Sequence, residues 1–498
     1  MGIIARQSIK ASLVGIIGVG VGAISRLFIA TKFLTVEELG LVDLITKFTL
    51  LIITFFILGS PQVIRKYYVK FALRNKEGEF LATYVLYTVF TVLVSSIIYL
   101  LARDFITSFY IKKSPLFAEY VMLPLYCAIA FSIFHIFNSI STVKLRIVVP
   151  AIFYQLLNKI LGIAAILAYG YFFYINLEQF TYLFVLGFFA LPALGLAFYV
   201  FIVLKPKFVI PKWQEGREIL SETRNYNFFL VLSVASVYVI QAIDSQMIGA
   251  KMGLAEVGIY SIAFFMGSVI VIPQRALSNI SFPILSKAFE MDDLPTIDGI
   301  YKKSSINQFL IGSLIFTLIW VNIDAVFEII PNGAVYAAGK LVVFYIGLGK
   351  LFDTAMGVNR QIIEASKHYR FNLLINLLLS ALVIVLNLIF IPIDNPYYGG
   401  INGAAVASML AMLISNLVAY LVLHHYYKLS LVNIKFFKIL IFFIVINLVF
   451  AYAFRIANPF VSVFIASTII ILLYIGFSLS TRIVEKEMIL NFIKKLKA

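Results

Sequence analysis

Arg26, Lys47, Lys159, Arg275 and Lys350 stand inside runs that are otherwise apolar, and Asp43, Asp244, Asp324 and Asp353 are the main acids of the same runs. An ionisable group in hydrocarbon is costly unless something neutralises it, so such groups face a bundle interior or a watery cavity. Helical spacing supports inward stripes: Gln155, Asn158, Lys159 and Gly162 share one face, Gln241, Asp244 and Ser245 another, and Ser268, Arg275 and Asn279 a third. A cavity with unpaired fixed cations suits an anionic passenger. Local alternatives stand beside this reading. Asp43 and Lys47, or Lys350 and Asp353, are spaced to pair along one helix. For Arg26, snorkelling to the interface and pairing with Asp244 are both open. Asp244 and Asp324 are the candidates for ion coupling or ion pairing.

The elements that must position these residues follow from composition. The 498 residues are 62% hydrophobic and 13% charged, which excludes a soluble surface. Apolar runs recur from end to end, about fourteen of them, each of the roughly 20 residues that cross a bilayer core as a helix. The expected fold is an all-α membrane protein of about fourteen transmembrane helices. Two pseudo-symmetric six-helix halves (1–210 and 211–430) are followed by two C-terminal helices and a basic tail (431–498). The polar stretch "KPKFVIPKWQEGREILSETRNYN" (205–227) reads as the linker between the halves.

A weak internal repeat supports that division. "RLFIATKFLTVEELGLV" (26–42) aligns with "DSQMIGAKMGLAEVGIY" (244–260), matching Glu38 and Gly40 to Glu256 and Gly258 and setting Arg26 opposite Asp244. Two such halves around a central cavity are a common plan for transporters. Gly15, Gly18, Gly22 and "GAAVAS" (403–408) fit close helix packing. Pro124, Pro192 and Pro273 are positioned to kink or end spans.

The net charge of +16 needs no nucleic acid. With the N-terminus in the cytoplasm, about 28 of the 40 Lys and Arg fall on that side and about 7 on the other, the positive-inside pattern. Both termini are therefore expected in the cytoplasm of a cell (inner) membrane protein. The start "MGIIARQSIK" reads as an uncleaved first helix. Cys127 is the single cysteine, so no intrachain disulfide forms. No P-loop is present, and His135, His368, His424 and His425 are scattered. The largest outer loop, "RDFITSFYIKKSPLFAE" (103–119), has no histidine and no metal-ligand spacing. No cofactor, no metal and no enzyme activity are expected, which weighs against a membrane polysaccharide polymerase or ligase.

The segments "ARQSIKASLVGIIGVGVGAISRLFIATKFLTVEELGLVDL", "AEVGIYSIAFFMGSVIVIPQRALSNISFPILSKAF" and "GINGAAVASMLAMLISNLVAYLVLHHYYKL" resemble Wzx-type polysaccharide-export flippases. Those belong to the multidrug, oligosaccharidyl-lipid and polysaccharide superfamily. The resemblance implies a flippase that moves an undecaprenyl-diphosphate-linked oligosaccharide to the outer leaflet. Its partners would be that lipid-linked substrate, membrane lipids and other proteins of polysaccharide assembly. By resemblance to lipid II flippases, Arg26 and Arg275 match two of three diphosphate-binding arginines. Lys47 takes the third place as a departure, since lysine lacks the bidentate fork. Also by resemblance, helices thirteen and fourteen would cradle the lipid tail. The rival in the same superfamily, a drug or cation antiporter, would line its cavity with acids.

Overall fold

The computed structural model describes residues 3–172, 175–431, 433–453, 457–481 and 483. Among these the chain is helical with no strand, and fourteen helices are long and apolar enough to cross a membrane. By packing the chain divides into Met1–Gly258 and Ile259–Ala498. This boundary falls at the start of the eighth span rather than at 210. The seventh span docks on the second inside the first unit, and the proposed linker is mostly helix: 205–212 is irregular, and Trp213–Lys251 runs unbroken into that span. Glu222 on this helix is held by Lys70 and, at 3.0 Å, by Arg74 on the short helix Ser60–Ala72. Those two hydrogen-bonded cations, Lys70 foremost, hold the Glu222 carboxyl below its ordinary range.

The first unit holds seven spans: Leu13–Phe33, Val36–Ile57, Glu77–Leu101, Leu123–Val143, Val148–Phe172, Leu177–Leu204 and Tyr226–Lys251. The second begins in a capping box: Thr35 Oγ1 accepts from Glu38 N at 3.2 Å, and Thr35 N donates to Glu38 Oε2 at 2.8 Å. It ends where Leu58 and Gly59 turn left-handed, after which Ser60–Ala72 restarts the helix in a new direction. The glycine stripe of the first span is where the fifth span lies. A Cβ at Gly18 would overlap the Gln155 carbonyl oxygen, one at Gly15 would stand 2.6 Å from Gln155 Oε1, and one at Gly22 3.2 Å from Lys159 Nζ. Small residues thus let the polar face of one helix approach the backbone of the other. Pro192 follows a π-helical turn at Leu186–Ala190, a local widening at a residue that has no N–H to give.

The second unit contains most of Leu254–Arg275 and the spans Leu294–Val321, Gly333–Ala355, Arg370–Phe390, Gly400–Tyr427, Ile434–Ala451 and Pro459–Ser480. Around Pro273 the eighth span tightens into a 3₁₀ turn, Val269–Val271, and restarts as Ile272–Glu290. In "GAAVAS", Ala404, Ala405 and Ala407 are fully buried and Gly403 faces the Phe390 carbonyl of the eleventh span. The last two spans pack on the ninth. Ile439, Phe443, Ile446, Ala466, Ile470 and Tyr474 join Phe309 and Phe316 in one core. Asn447 Nδ2 donates to Thr317 Oγ1 at 2.9 Å, and Thr317 and the Tyr474 hydroxyl are 3.2 Å apart. Their outer faces expose Ile441, Val445, Leu448, Phe464 and Leu472, as a lipid-facing surface requires.

Candidate functional site

Arg26 sits in a π-helical turn, Ser25–Ala30, within the first span. A wide turn of this kind shifts the side chains after it and is frequent where a helix carries function. The guanidinium Nη2 pairs with Asp43 Oδ1, from the second span. Asp43 is buried with 4% of its side chain exposed, whereas Arg26 keeps 32%. The other Asp43 oxygen accepts from Ser245 Oγ at 3.0 Å, so three spans meet at one carboxylate. Arg26 Nε is buried and has no acceptor among the described residues. The guanidinium therefore has donors to spare for a second anion beside Asp43.

One turn along the second span, Lys47 Nζ donates to the Gln241 carbonyl of the seventh at 2.9 Å. Asp244 is buried on that same helix. Lys159, in the middle of the fifth span and half-buried, donates to the Gly18 carbonyl at 2.6 Å. A carbonyl satisfies one of the three ammonium donors and leaves the unit charge in place. Asn158 Oδ1, on the turn beside it, is buried without a partner among the described residues. Arg26, Lys47 and Lys159 thus stand on the first, second and fifth spans and make their polar contacts to the second, the seventh and the first span respectively.

The second unit's candidates are scattered. Arg275 is exposed, and the side chain of Asn279 in its predicted stripe lies outside the described residues. Asp324 is exposed and pairs with Lys340, whose Nζ reaches both carboxylate oxygens at 2.6 and 2.8 Å. Lys350 is half-buried. Asp353 binds away from its own helix: its Oδ1 accepts from Asn416 Nδ2 at 2.8 Å, and Asn416 Oδ1 accepts from Asn359 Nδ2 at 3.0 Å. Arg360 extends this network to Asn376 Oδ1 at 3.3 Å. Burial pushes the Arg360 guanidinium below its ordinary pKa, with Asp353 opposing. The network was not legible in the sequence, because Asn359, Asn376 and Asn416 come from separate elements with no shared period. The Arg26–Asp43 pair was hidden in the same way by its sequence separation of 17 residues.

The geometry defines the class as an all-helical fold with fourteen helices, among the described residues, long and apolar enough to cross a membrane. No protein-family model matches the chain, and no curated protein is significantly similar in sequence. Solved structures share the fold. The lipid II flippase MurJ, in an inward closed conformation, matches with a TM-score of 0.73 over 96% of this chain and 98% of that one, at 14% identity. An inward-facing multidrug resistance MATE family transporter of the MOP superfamily matches with 0.61 over 86% and 98%, also at 14% identity. A MOP superfamily transporter from Pyrococcus furiosus, described as having a binding pocket of reverse polarity, gives 0.57 over 86% and 96%, again at 14%. At these identities the likeness is one of fold.

Proposed function

We propose that this chain is a flippase carrying an undecaprenyl-diphosphate-linked oligosaccharide from the cytoplasmic to the outer leaflet by alternating access, in surface polysaccharide assembly. Lys159 is the observation that carries the reading: an ammonium at mid-span whose hydrogen bond goes to a backbone carbonyl. A diphosphate cannot enter hydrocarbon without a counter-charge, and an ammonium placed there supplies one. Arg26, with an unused Nε, and Lys47 are its companions in the first unit, and Arg275 and Lys350 are assigned the same role in the second. Asp244 is assigned to ion coupling, while Asp324 serves as an ion pair with Lys340. The fuller coverage and higher TM-score of the lipid II flippase structure favour a lipid-linked passenger. In this reading the protein lies in the inner membrane with both termini in the cytoplasm, and its polyprenyl substrate tail stays in lipid.

The buried carboxylates Asp43 and Asp244 favour the alternative, a drug or cation antiporter of the same superfamily. One experiment separates the two. In vesicles of reconstituted protein, a labelled undecaprenyl-diphosphate oligosaccharide changes leaflet, and Lys159→Ala slows this at least about tenfold, the loss of one strong charge-assisted contact. Transport of a cationic dye, with no movement of the lipid-linked glycan, would establish the antiporter instead.

A further inference from the structure

Successive spans alternate in direction, so the ends of the second and sixth and the starts of the third and seventh lie at one face of the membrane. Within the first unit the chain between them is tied down at three places. Lys205 turns left-handed and closes the sixth span, its N–H donating to the Val200 carbonyl at 2.9 Å, and the Phe208 ring leans on Phe201 at 5.8 Å. Val209 N donates to the Gly78 carbonyl at 3.3 Å, and a Cβ on Gly78 would stand 2.9 Å from Val209 Cγ2. Glu222 of the following helix reaches back to Lys70 and, at 3.0 Å, to Arg74. The irregular stretch 205–212 is therefore laid across the turn that follows the helix Ser60–Ala72.

What this tied-down stretch leaves uncovered is unusual for the molecule. Among the described residues the large apolar side chains more than four-fifths exposed are Trp213 at 85%, Ile210 at 83%, Leu73 at 82% and Leu101 at 82%. Leu101 is at the far end of the third span, whereas the other three stand within five residues of the Val209–Gly78 contact. Around them the charge is positive. Residues 60–79 and 205–222 hold nine Lys and Arg against five Glu, and two of those acids are engaged: Glu222 by its two cations, and Glu215 by the Lys212 N–H at 3.0 Å. Lys205, Lys207 and Lys212 are exposed and belong to none of the ion pairs among the described residues.

Apolar side chains so open at the ends of spans stand in the layer where hydrocarbon gives way to headgroups, and an indole is at home there. Unpaired lysines beside them sit at the level of the lipid phosphates, with stems long enough to cover apolar surface while the ammonium stays wet. A protein partner would first have to displace the bilayer, which is already at this level. We propose that Leu73, Ile210 and Trp213 dip into the bilayer while Lys205, Lys207 and Lys212 bind the phosphates of anionic phospholipids. The pairing of an apolar wedge with a basic rim makes the attachment selective for lipid charge, since the wedge alone would accept any lipid. The stretch that joins the sixth span to the seventh is thus held by lipid on one side and by Gly78 on the other. This platform is independent of the passenger.

Fluorescence of the full-length protein in vesicles tests the assignment. Trp213 and Trp320 are the only tryptophans of the chain, so Trp320→Phe leaves Trp213 as the sole reporter. The vesicles are equimolar phosphatidylglycerol and phosphatidylcholine, with bromine on the upper acyl carbons of one lipid or the other. Both brominated lipids should quench Trp213, and the anionic one more strongly by at least about twofold, as a cluster of cations at the surface enriches anionic lipid. Replacing the three lysines together, Lys205→Gln with Lys207→Gln and Lys212→Gln, should bring the ratio to about one while quenching itself persists, and molar salt should do the same to the unreplaced protein. The corresponding triple arginine variant should keep the preference, which guards against a folding artefact. In Trp213→Phe, where Trp320 reports, the ratio should not respond to the lysine replacements. An unquenched Trp213, facing water or covered by protein, overturns the platform. Equal quenching by the two lipids overturns it as well, and so does a preference that survives the glutamine replacements or a response shared by Trp320.

Discussion

Replacing Gly40 by alanine tests a close helix crossing in the first unit. A Cβ there would overlap the Leu254 carbonyl oxygen and stand 2.8 Å from the Leu254 carbonyl carbon and 3.1 Å from Gly258 N. The opposite substitution meets the same obstacle: a Cβ on Gly258 would overlap the Val36 carbonyl oxygen and stand 3.0 Å from Val36 Cγ1. Leu254 follows Val36 by 218 residues, and Gly258 follows Gly40 by the same 218. Each repeat copy therefore packs its glycine on its partner's equivalent of its own first turn, as a two-fold axis between the two helix starts demands. Carbon atoms prefer roughly 3.5–4 Å, so the starts of the second and eighth spans must part by about 1 Å, and a packed contact that opens so far forfeits a quarter to a half of its attraction. Overpacking of this kind costs about 1–3 kcal/mol. Thermal unfolding of the purified protein in detergent should fall for Gly40→Ala and Gly258→Ala alike. The double variant should lose less than the sum, because one separation relieves both clashes. Strictly additive losses, or a Gly40→Ala protein as stable as wild type, would refute the reciprocal contact.

Two other substitutions have outcomes fixed by the same geometry. Asp43→Asn removes the acid from Arg26 and leaves a guanidinium that is two-thirds covered; stability should drop by about 1–3 kcal/mol, discounted from the fully buried case for exposure. Arg26→Ala with Asp43→Asn should recover part of that loss in a thermal double-mutant cycle, and a coupling indistinguishable from zero would exclude a stabilising pair. Glu222→Gln should cost about 0.5 kcal/mol at neutral pH, the scale of a surface ion pair. Because the folded Glu222 pKa is depressed, the wild-type advantage is complete above the unfolded value of about 4.3 and fades as pH falls through the lower folded value. Melting curves of the two proteins should converge under acid and diverge at pH 7; a difference that persists under acid would mean the side chain acts by packing.

What the sequence disclosed and what it concealed divide along a physical line. Spans are written in continuous apolar length, so the fourteen helices were legible without any partner in view. The glycines of the first span were legible too, since a small residue every three or four positions has no other use on a membrane helix than close approach. The register of the repeat set Gly40 on Gly258, and the two glycines meet. Charge partners obey no such rule. Asp43 is spaced to pair with Lys47 along its own helix, yet its oxygens go to Arg26 and Ser245, because buried carboxylates are satisfied by whatever donors tertiary packing delivers. Asp353, three residues from Lys350, is likewise met by Asn416 from another span. In a membrane bundle, then, a charge acquires meaning from the helices opposite it, and Lys159 is the sharpest instance. Its neighbours along the fifth span suggested a polar face, but that the ammonium ends on the Gly18 carbonyl, and so keeps its charge available for an anion, follows from the first span's lack of side chains at that level.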